Sequence, residues 1–143
     1  AWSTWEPYVS QEEVLFKSRR IITGEGLTPG LSFQVATPTA IKEKREALED
    51  FVRRLTAARA WSQDHVESYA ETWGKLMNIP PAVPLNWLKR ARIRIAPIDD
   101  AVVADEQTTI DLYVRTGLIK QRLNASDIVD RSFSDAIAKG ARL

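Results

Sequence analysis

The chain has 143 residues, 44% of them hydrophobic and 27% charged, with 20 Lys and Arg against 19 Asp and Glu for a net charge of +1. That length suffices for an ordinary domain with a core, and the near-neutral balance argues against a dedicated nucleic-acid or membrane-surface binder. The absence of cysteine excludes a disulfide framework, a thiolate nucleophile and a thiolate metal site, and no apolar run approaches the roughly 20 residues of a bilayer span.

The opening "AWSTWEPYVS" places Trp2 and Trp5 around Ser3 and Thr4. Flat apolar faces with hydroxyl donors between them are the makings of a small-ligand cleft wall, although core packing is the ordinary role of either indole taken singly. Pro7 is suited to start a short helix that ends with Val14, Leu15 and Phe16. In "RRIITGEGLTPG" a short strand is expected before a loop broken by Gly24, Gly26 and Gly30. Those glycines lack the spacing and the lysine of a phosphate cradle, and Pro29 removes a donor. The next run, "LSFQVATP", alternates Leu31, Phe33 and Val35 with smaller or polar residues and predicts a strand with one buried face. Thr37 then reads as an N-cap, with Pro38 at the first helical position.

From Ile41 the period becomes helical, with Leu48, Phe51, Val52, Leu55, Ala58 and Trp61 on one stripe. Asp64 and Glu67 have capping-box spacing, ahead of a second amphipathic helix through Val66, Tyr69, Ala70, Trp73, Leu76 and Met77 that ends near Asn78. A shorter helix is expected around Pro84, anchored by Trp87 and Leu88, followed by the extended piece "RIRIAPI". Asp99 and Asp100 precede a last long helix carrying Val103, Ile110, Tyr113 and Val114 and stopped by Gly117. The tail adds short helical turns with Ile128, Phe133 and Ile137 as packing residues. The sum is a mostly helical α/β chain of four to five helices and a few short strands. So few strands rarely form a sheet alone, so "LSFQVA" needs partners from elsewhere, and the chain reads as a piece of a larger α/β protein.

Candidate chemistry is sparse. His65, the only histidine, sits beside Asp64 with no second ligand and no nucleophile motif, which suits a solvated helix-start residue better than a base or a metal ligand. Asp99-Asp100 and Asp105-Glu106 are adjacent carboxylates, which do not share a helix face and are favoured near a helix start by its dipole. "LKRARIR" gathers Lys89, Arg90, Arg92 and Arg94, a grip for an acidic partner or a salt-bridged face. Asn124-Ala125-Ser126 matches the short N-glycosylation sequon, relevant only in a secreted eukaryotic protein.

Several segments, in order, resemble the substrate-binding proteins of ATP-binding-cassette (ABC) importers for aliphatic sulfonates, taurine and nitrate. They are "AWSTWEPYV", "RIITGEGL", "SFQVATPTAIKEK", "WGKLMNIPPAV" and the long run from "RIAPIDDAVV" to "DIVDRSF". The chain departs from that family in carrying Glu6 where an aspartate is usual and in fusing two helices near "EKREAL" where relatives have a proline. The resemblance implies the C-terminal portion of a two-lobed periplasmic-binding-protein fold of type II. On it, residues 1–30 finish the second lobe, 31–37 form a strand crossing the hinge, and 38–143 are the helical part of the first lobe.

It further implies a bacterial, periplasmic or otherwise extracytoplasmic receptor that is not an enzyme, with the signal peptide outside this chain. The receptor would bind a small anionic organic solute and hand it to the membrane subunits of an ABC permease. Trp2, Ser3, Thr4 and Trp5 would be its ligand-binding residues, and no catalytic residue, metal, cofactor or nucleic acid is called for. A piece of such a fold should expose apolar surface or cover it by self-association. The competing reading is a self-contained helical interaction domain that binds an acidic partner through "LKRARIR".

Overall fold

The computed structural model describes residues 1–27, 29–91, 93 and 95–142. Helix α1 (Tyr8–Phe16) begins behind Pro7. Helix α2 (Pro38–Glu43) has the expected start: Thr37 Oγ1 accepts the Ala40 N–H at 3.1 Å, and Pro38 stands where its missing N–H costs nothing. The continuous helix expected from Ile41 is instead interrupted at Lys44, whose φ of −122° and ψ of 31° leave the helical well before α3 (Arg45–Asp64) begins. This break occurs without a proline.

Asp64 does not cap the next helix. The α3 pattern runs on through the His65 N–H, which bonds the Trp61 carbonyl at 3.0 Å, so Asp64 stays helical and the chain turns one residue later than the capping-box spacing suggests. His65 stands at the N-cap of α4 (Val66–Met77) without a side-chain capping bond. Asn78 closes α4 in the left-handed region, as expected for its end. Pro84 lies in the first turn of α5 (Ala82–Leu88). Asp99 Oδ1 accepts the Val102 N–H at 2.9 Å to start α6 (Asp100–Arg115), which stops at Gly117 with φ +75°. The tail folds into α7 (Ala125–Ile128), a 3-10 turn (Arg131–Phe133) and α8 (Ser134–Gly140). The helices outnumber the four to five expected because the extra ones are short.

The strands are a correction. No strand is found among the described residues, and residues 31–36 have no hydrogen bond to any other described residue. Alternation specifies which way side chains would face in a sheet, but a strand exists only through a partner's ladder, and no partner segment is found among the described residues. Val35, on the expected inner face, is 92% exposed. Of the extended piece "RIRIAPI", Arg92 and Arg94 lie outside the described residues, and the rest carries no regular structure.

The chain divides into two compact units. The first comprises residues 1–23 and 58–94, where α5 packs against both α1 and α4 around Val83, Pro84, Leu88 and Ala70. Trp73 and Trp87 meet edge to face at 5.0 Å between ring centroids, with Tyr69 5.9 Å from Trp73. Gly74 lets the turn after α4 fold back on it, since a Cβ there would lie 2.9 Å from the Ile79 carbonyl oxygen and 3.1 Å from Pro81 Cα.

The second unit comprises residues 24–57 and 95–143. Gln107 on α6 joins α7 by accepting the Ala125 N–H at 2.8 Å and donating to the Leu123 carbonyl at 3.2 Å. Asp111, one turn on, takes two bonds from Arg122 at 2.7 and 3.1 Å. Arg45 holds the tail to α3. Its guanidinium lies 3.9 Å from the Phe133 ring centroid and donates to Ser132 Oγ and the Ser132 carbonyl at 2.6 and 2.7 Å. Behind this contact, Gly140 sits so close to α3 that a Cβ would stand 2.3 Å from the Arg53 carbonyl oxygen and 2.7 Å from Thr56 Cβ.

Apolar burial is thin. The accessible surface is 10775 Å² for 16.2 kDa, where a folded monomer of that mass exposes about 7,500 Å². Among the described residues the buried hydrophobic side chains are Ala70, Val83, Leu88, Ile110, Ala125 and Ala136, three of them alanines. Along α3, Phe51 and Trp61 are exposed, and the buried residues are Thr56 and Ser62 rather than any member of the apolar stripe. Leu76 on α4 is 81% exposed. Large apolar side chains on α3 and α4 are thus left in water.

Gly140→Ala should lower the stability of the second unit by about 1–3 kcal/mol, because backbone on α3 cannot move aside as a flexible side chain would; a chemical-denaturation midpoint equal to that of the native chain would contradict the close approach. A pH effect follows from Asp111, whose carboxyl is held below its ordinary value of 3.8 by hydrogen bonds from Arg122 and then Gln107. The unfolded chain takes up that proton at higher pH than the folded chain does. The contribution is therefore complete above the ordinary value and is lost as pH falls through the lowered one. Thermal unfolding followed from pH 6 downward should show a shallower acid loss in Asp111→Asn than in the native chain.

Candidate functional site

The four residues expected to line a ligand precede α1, and the first turn of that helix meets two of them, Trp2 and Trp5. The Trp5 carbonyl accepts the N–H groups of Tyr8 at 3.0 Å and Val9 at 3.3 Å, which fixes the backbone of the preceding segment against the helix. Trp2 and Trp5 each lie near Tyr8, with ring-centroid separations of 6.2 and 6.4 Å. Trp2 is 65% exposed and Trp5 74% exposed; Ser3 is exposed and Thr4 partly so. Neither indole is a core residue in this chain. The result is an exposed group of three aromatic rings able to cover an apolar group, with Ser3 and Thr4 between the two indoles in sequence.

Behind this surface lies a charge cluster that the motif reading missed. Glu6 Oε2 accepts the Ser10 N–H at 3.0 Å, satisfying one of the free donors of the first turn of α1, and Glu6 Oε1 takes Arg90 Nη2 at 2.6 Å. The other arm of Arg90, Nη1, bonds Glu13 Oε2 at 2.5 Å, while Nη2 also reaches Ser10 Oγ at 3.1 Å. Asn86 on α5 donates to the same Glu13 oxygen at 3.0 Å and to Ser10 Oγ at 3.3 Å, and Arg20 reaches Glu13 Oε1 at 2.6 Å. Burial pushes the Glu13 carboxyl up, but the hydrogen bonds from Arg90, Arg20 and Asn86 together outweigh it and hold the group below its ordinary value. Ser10 is fully buried within this net. The available signal was helical spacing: Glu6, Ser10 and Glu13 fall at i, i+4 and i+7, and Asn86 and Arg90 are four apart.

The other candidates take structural roles. His65 stacks on Trp61 at 4.6 Å and 10° between planes, and its Nδ1 lies 3.0 Å from the Trp61 carbonyl. Asp99 is a helix cap, and Asp100 pairs with Arg131 at 2.7 Å. Of the "LKRARIR" cations, Lys89 stands 3.6 Å from Glu67 and Arg90 is committed to Glu6 and Glu13; Arg92 and Arg94 lie outside the described residues. A separate shallow hollow of 230 Å³ is lined by Ser62, Gln63, Val66, Leu88, Lys89 and neighbours, none of them from the opening segment. Among the described residues, no group of three or more His, Asp or Glu is arranged to hold a metal ion, and no helix is long and apolar enough to cross a membrane.

No family model matches the chain, and no solved structure matches it. Over 136 residues the chain is 27% identical to a protein of Bacillus subtilis (strain 168) named "Putative aliphatic sulfonates-binding protein". The match takes in 93% of this chain but 40% of that relative, so the chain spans less than half of the length of the protein it resembles. The resemblance carried by the motifs thus extends over nearly the whole chain: it is a homologue of a sulfonate-binding protein and matches part of that protein's length.

Proposed function

We propose that the chain belongs to the extracytoplasmic solute-binding component of an ABC importer, where it helps hold a small sulfonate-like anion for delivery to the permease. The observation that carries this reading is the similarity to an aliphatic sulfonates-binding protein along 93% of the chain. The open aromatic surface supports it, because an alkyl or aryl sulfonate combines an apolar body with an anionic head. In this reading Trp2 and Trp5 cover the body, and the Ser3 and Thr4 hydroxyls donate to polar atoms. The role is binding without covalent chemistry, as the relative's name also indicates.

The division into the end of a second lobe to residue 30, a hinge crossing over 31–37 and the helical part of a first lobe over 38–143 belongs to the same proposal. So does the type II two-lobed architecture, with the remaining lobe surfaces supplied by a longer chain. The surface left uncovered here is in keeping with it: Leu31 and Val35 before α2, Phe51 and Trp61 on α3, and Leu76 on α4 are all exposed. The acidic-partner reading is less favoured, since both described cations of its patch, Lys89 and Arg90, already have carboxylate partners.

Tryptophan fluorescence, titrated with alkanesulfonates, taurine and nitrate, tests the proposal on the complete receptor that it implies and on the 143-residue chain. A saturable change with at least one sulfonate is expected in the receptor, and no response to any of the three solute types overturns the reading. Within a responding receptor, Trp2→Ala should weaken binding by about tenfold or more, equivalent to one aromatic contact. Trp73→Ala should instead cost about 2 kcal/mol of stability by emptying the space beside Trp87, with affinity unchanged. Native affinity in Trp2→Ala overturns the wall assignment.

A further inference from the structure

We infer that Arg90 is the positioning residue of the aromatic wall, setting where Trp5 stands and hence how strongly the apolar body of a solute is bound. The inference rests on the receptor reading above and assigns a determinant of its specificity. Arg90 touches none of the three rings in the contacts described; it acts through Glu6. That residue is bonded to Trp5 in the chain, and both of its carboxylate oxygens are engaged, one by the Ser10 N–H and one by Arg90. The Trp5 carbonyl, on the same side of the residue, accepts the Tyr8 and Val9 N–H groups. The backbone where Trp5 joins Glu6 is therefore anchored twice, by its own carbonyl on α1 and through the Glu6 side chain, and the second anchor originates on the segment after α5, 84 residues from Glu6 in the chain.

Arg90 suits this task because its two arms reach acceptors seven residues apart, one ahead of α1 and one within it. Nη2 bonds Glu6 ahead of α1 and Nη1 bonds Glu13 near its end, so a single guanidinium fixes both the start of α1 and its rotation about its own axis. Rotation of α1 moves Tyr8, whose ring lies 6.2 and 6.4 Å from the two indoles. Lysine preserves the charge but presents a compact ammonium in place of a planar fork with separated donors. It can hold one carboxylate and release the other. The predicted defect is thus one of placement, felt by the part of a ligand that lies against rings and not by its anionic head.

Two measurements test this. In the complete receptor, isothermal titration compares hexanesulfonate with methanesulfonate for the native protein, Arg90→Lys and Trp73→Ala, each well below its unfolding midpoint. The expected result for Arg90→Lys is a loss of about tenfold for hexanesulfonate with a change of about twofold or less for methanesulfonate, a difference that tracks apolar contact. Trp73→Ala, which is merely less stable, should leave both affinities alone. Equal losses for the two sulfonates, or native affinity for hexanesulfonate, overturn the inference while leaving the receptor reading in place. Should the native receptor bind neither sulfonate, the receptor reading fails and the coupling is judged without ligand. For that, fluorine NMR of the 143-residue chain labelled with 5-fluorotryptophan is recorded with and without Arg90→Lys, the Trp5 signal being assigned by Trp5→Phe. Movement of the Trp5 signal with Trp61 unmoved supports the positioning role, and an unmoved Trp5 signal overturns it.

Discussion

The architecture depends on one constraint: every regular element satisfies its backbone within itself, so the elements can exist without a sheet, but their apolar stripes have little to lie against. A helix closes its own hydrogen bonds and then gains most of its stability from packing one face. Here the packing is concentrated at a few close contacts. Where α5 meets α1 and α4, Val83, Pro84 and Leu88 supply the apolar core of the first unit. In the second, Gly140 and the Arg45–Phe133 contact bring the tail onto α3. Between these points, side chains as large as Phe51, Trp61 and Leu76 remain in water.

The first unit shows how polar groups compensate for a small core. Glu6 and Glu13 face two guanidinium groups, so charge within the cluster balances and Ser10 can be buried without an unsatisfied hydroxyl. The balance also matters for ligand chemistry. A free carboxylate beside the opening segment would repel an anionic solute, whereas a carboxylate already bridged by arginine presents a weaker field at the neighbouring rings. Glu6, the acidic residue nearest the two indoles in sequence, is neutralised in this way.

Local chemistry was the legible part of the sequence. The Thr37 cap, the helix end at Asn78 and the break at Gly117 each depend on a few adjacent residues and form where their residue types place them, and Asp99, read only as preceding a helix, caps it. Asp64 shows the precision of such signals: capping-box spacing locates the junction of α3 and α4, but the helix keeps one more residue before turning. The strand at residues 31–37 failed for a different reason, because alternation is a property of a segment and pairing is a property of two. The Arg90 cluster was hidden by distance along the chain. Its acceptors precede it by 77 to 84 residues, and nothing in "LKRARIR" alone separates an arginine that bridges two glutamates from one that awaits a partner.

The segment "LSFQVA" has a consequence for how this chain behaves among its own copies. Its backbone donors and acceptors are uncommitted, its side chains alternate, and it contains neither charge nor proline. Those are the properties of an open sheet edge, and natural proteins usually blunt such edges with lysine, proline or a bulge. A segment with these properties is one along which copies of a chain can pair, and a charge introduced by Val35→Lys would oppose that pairing.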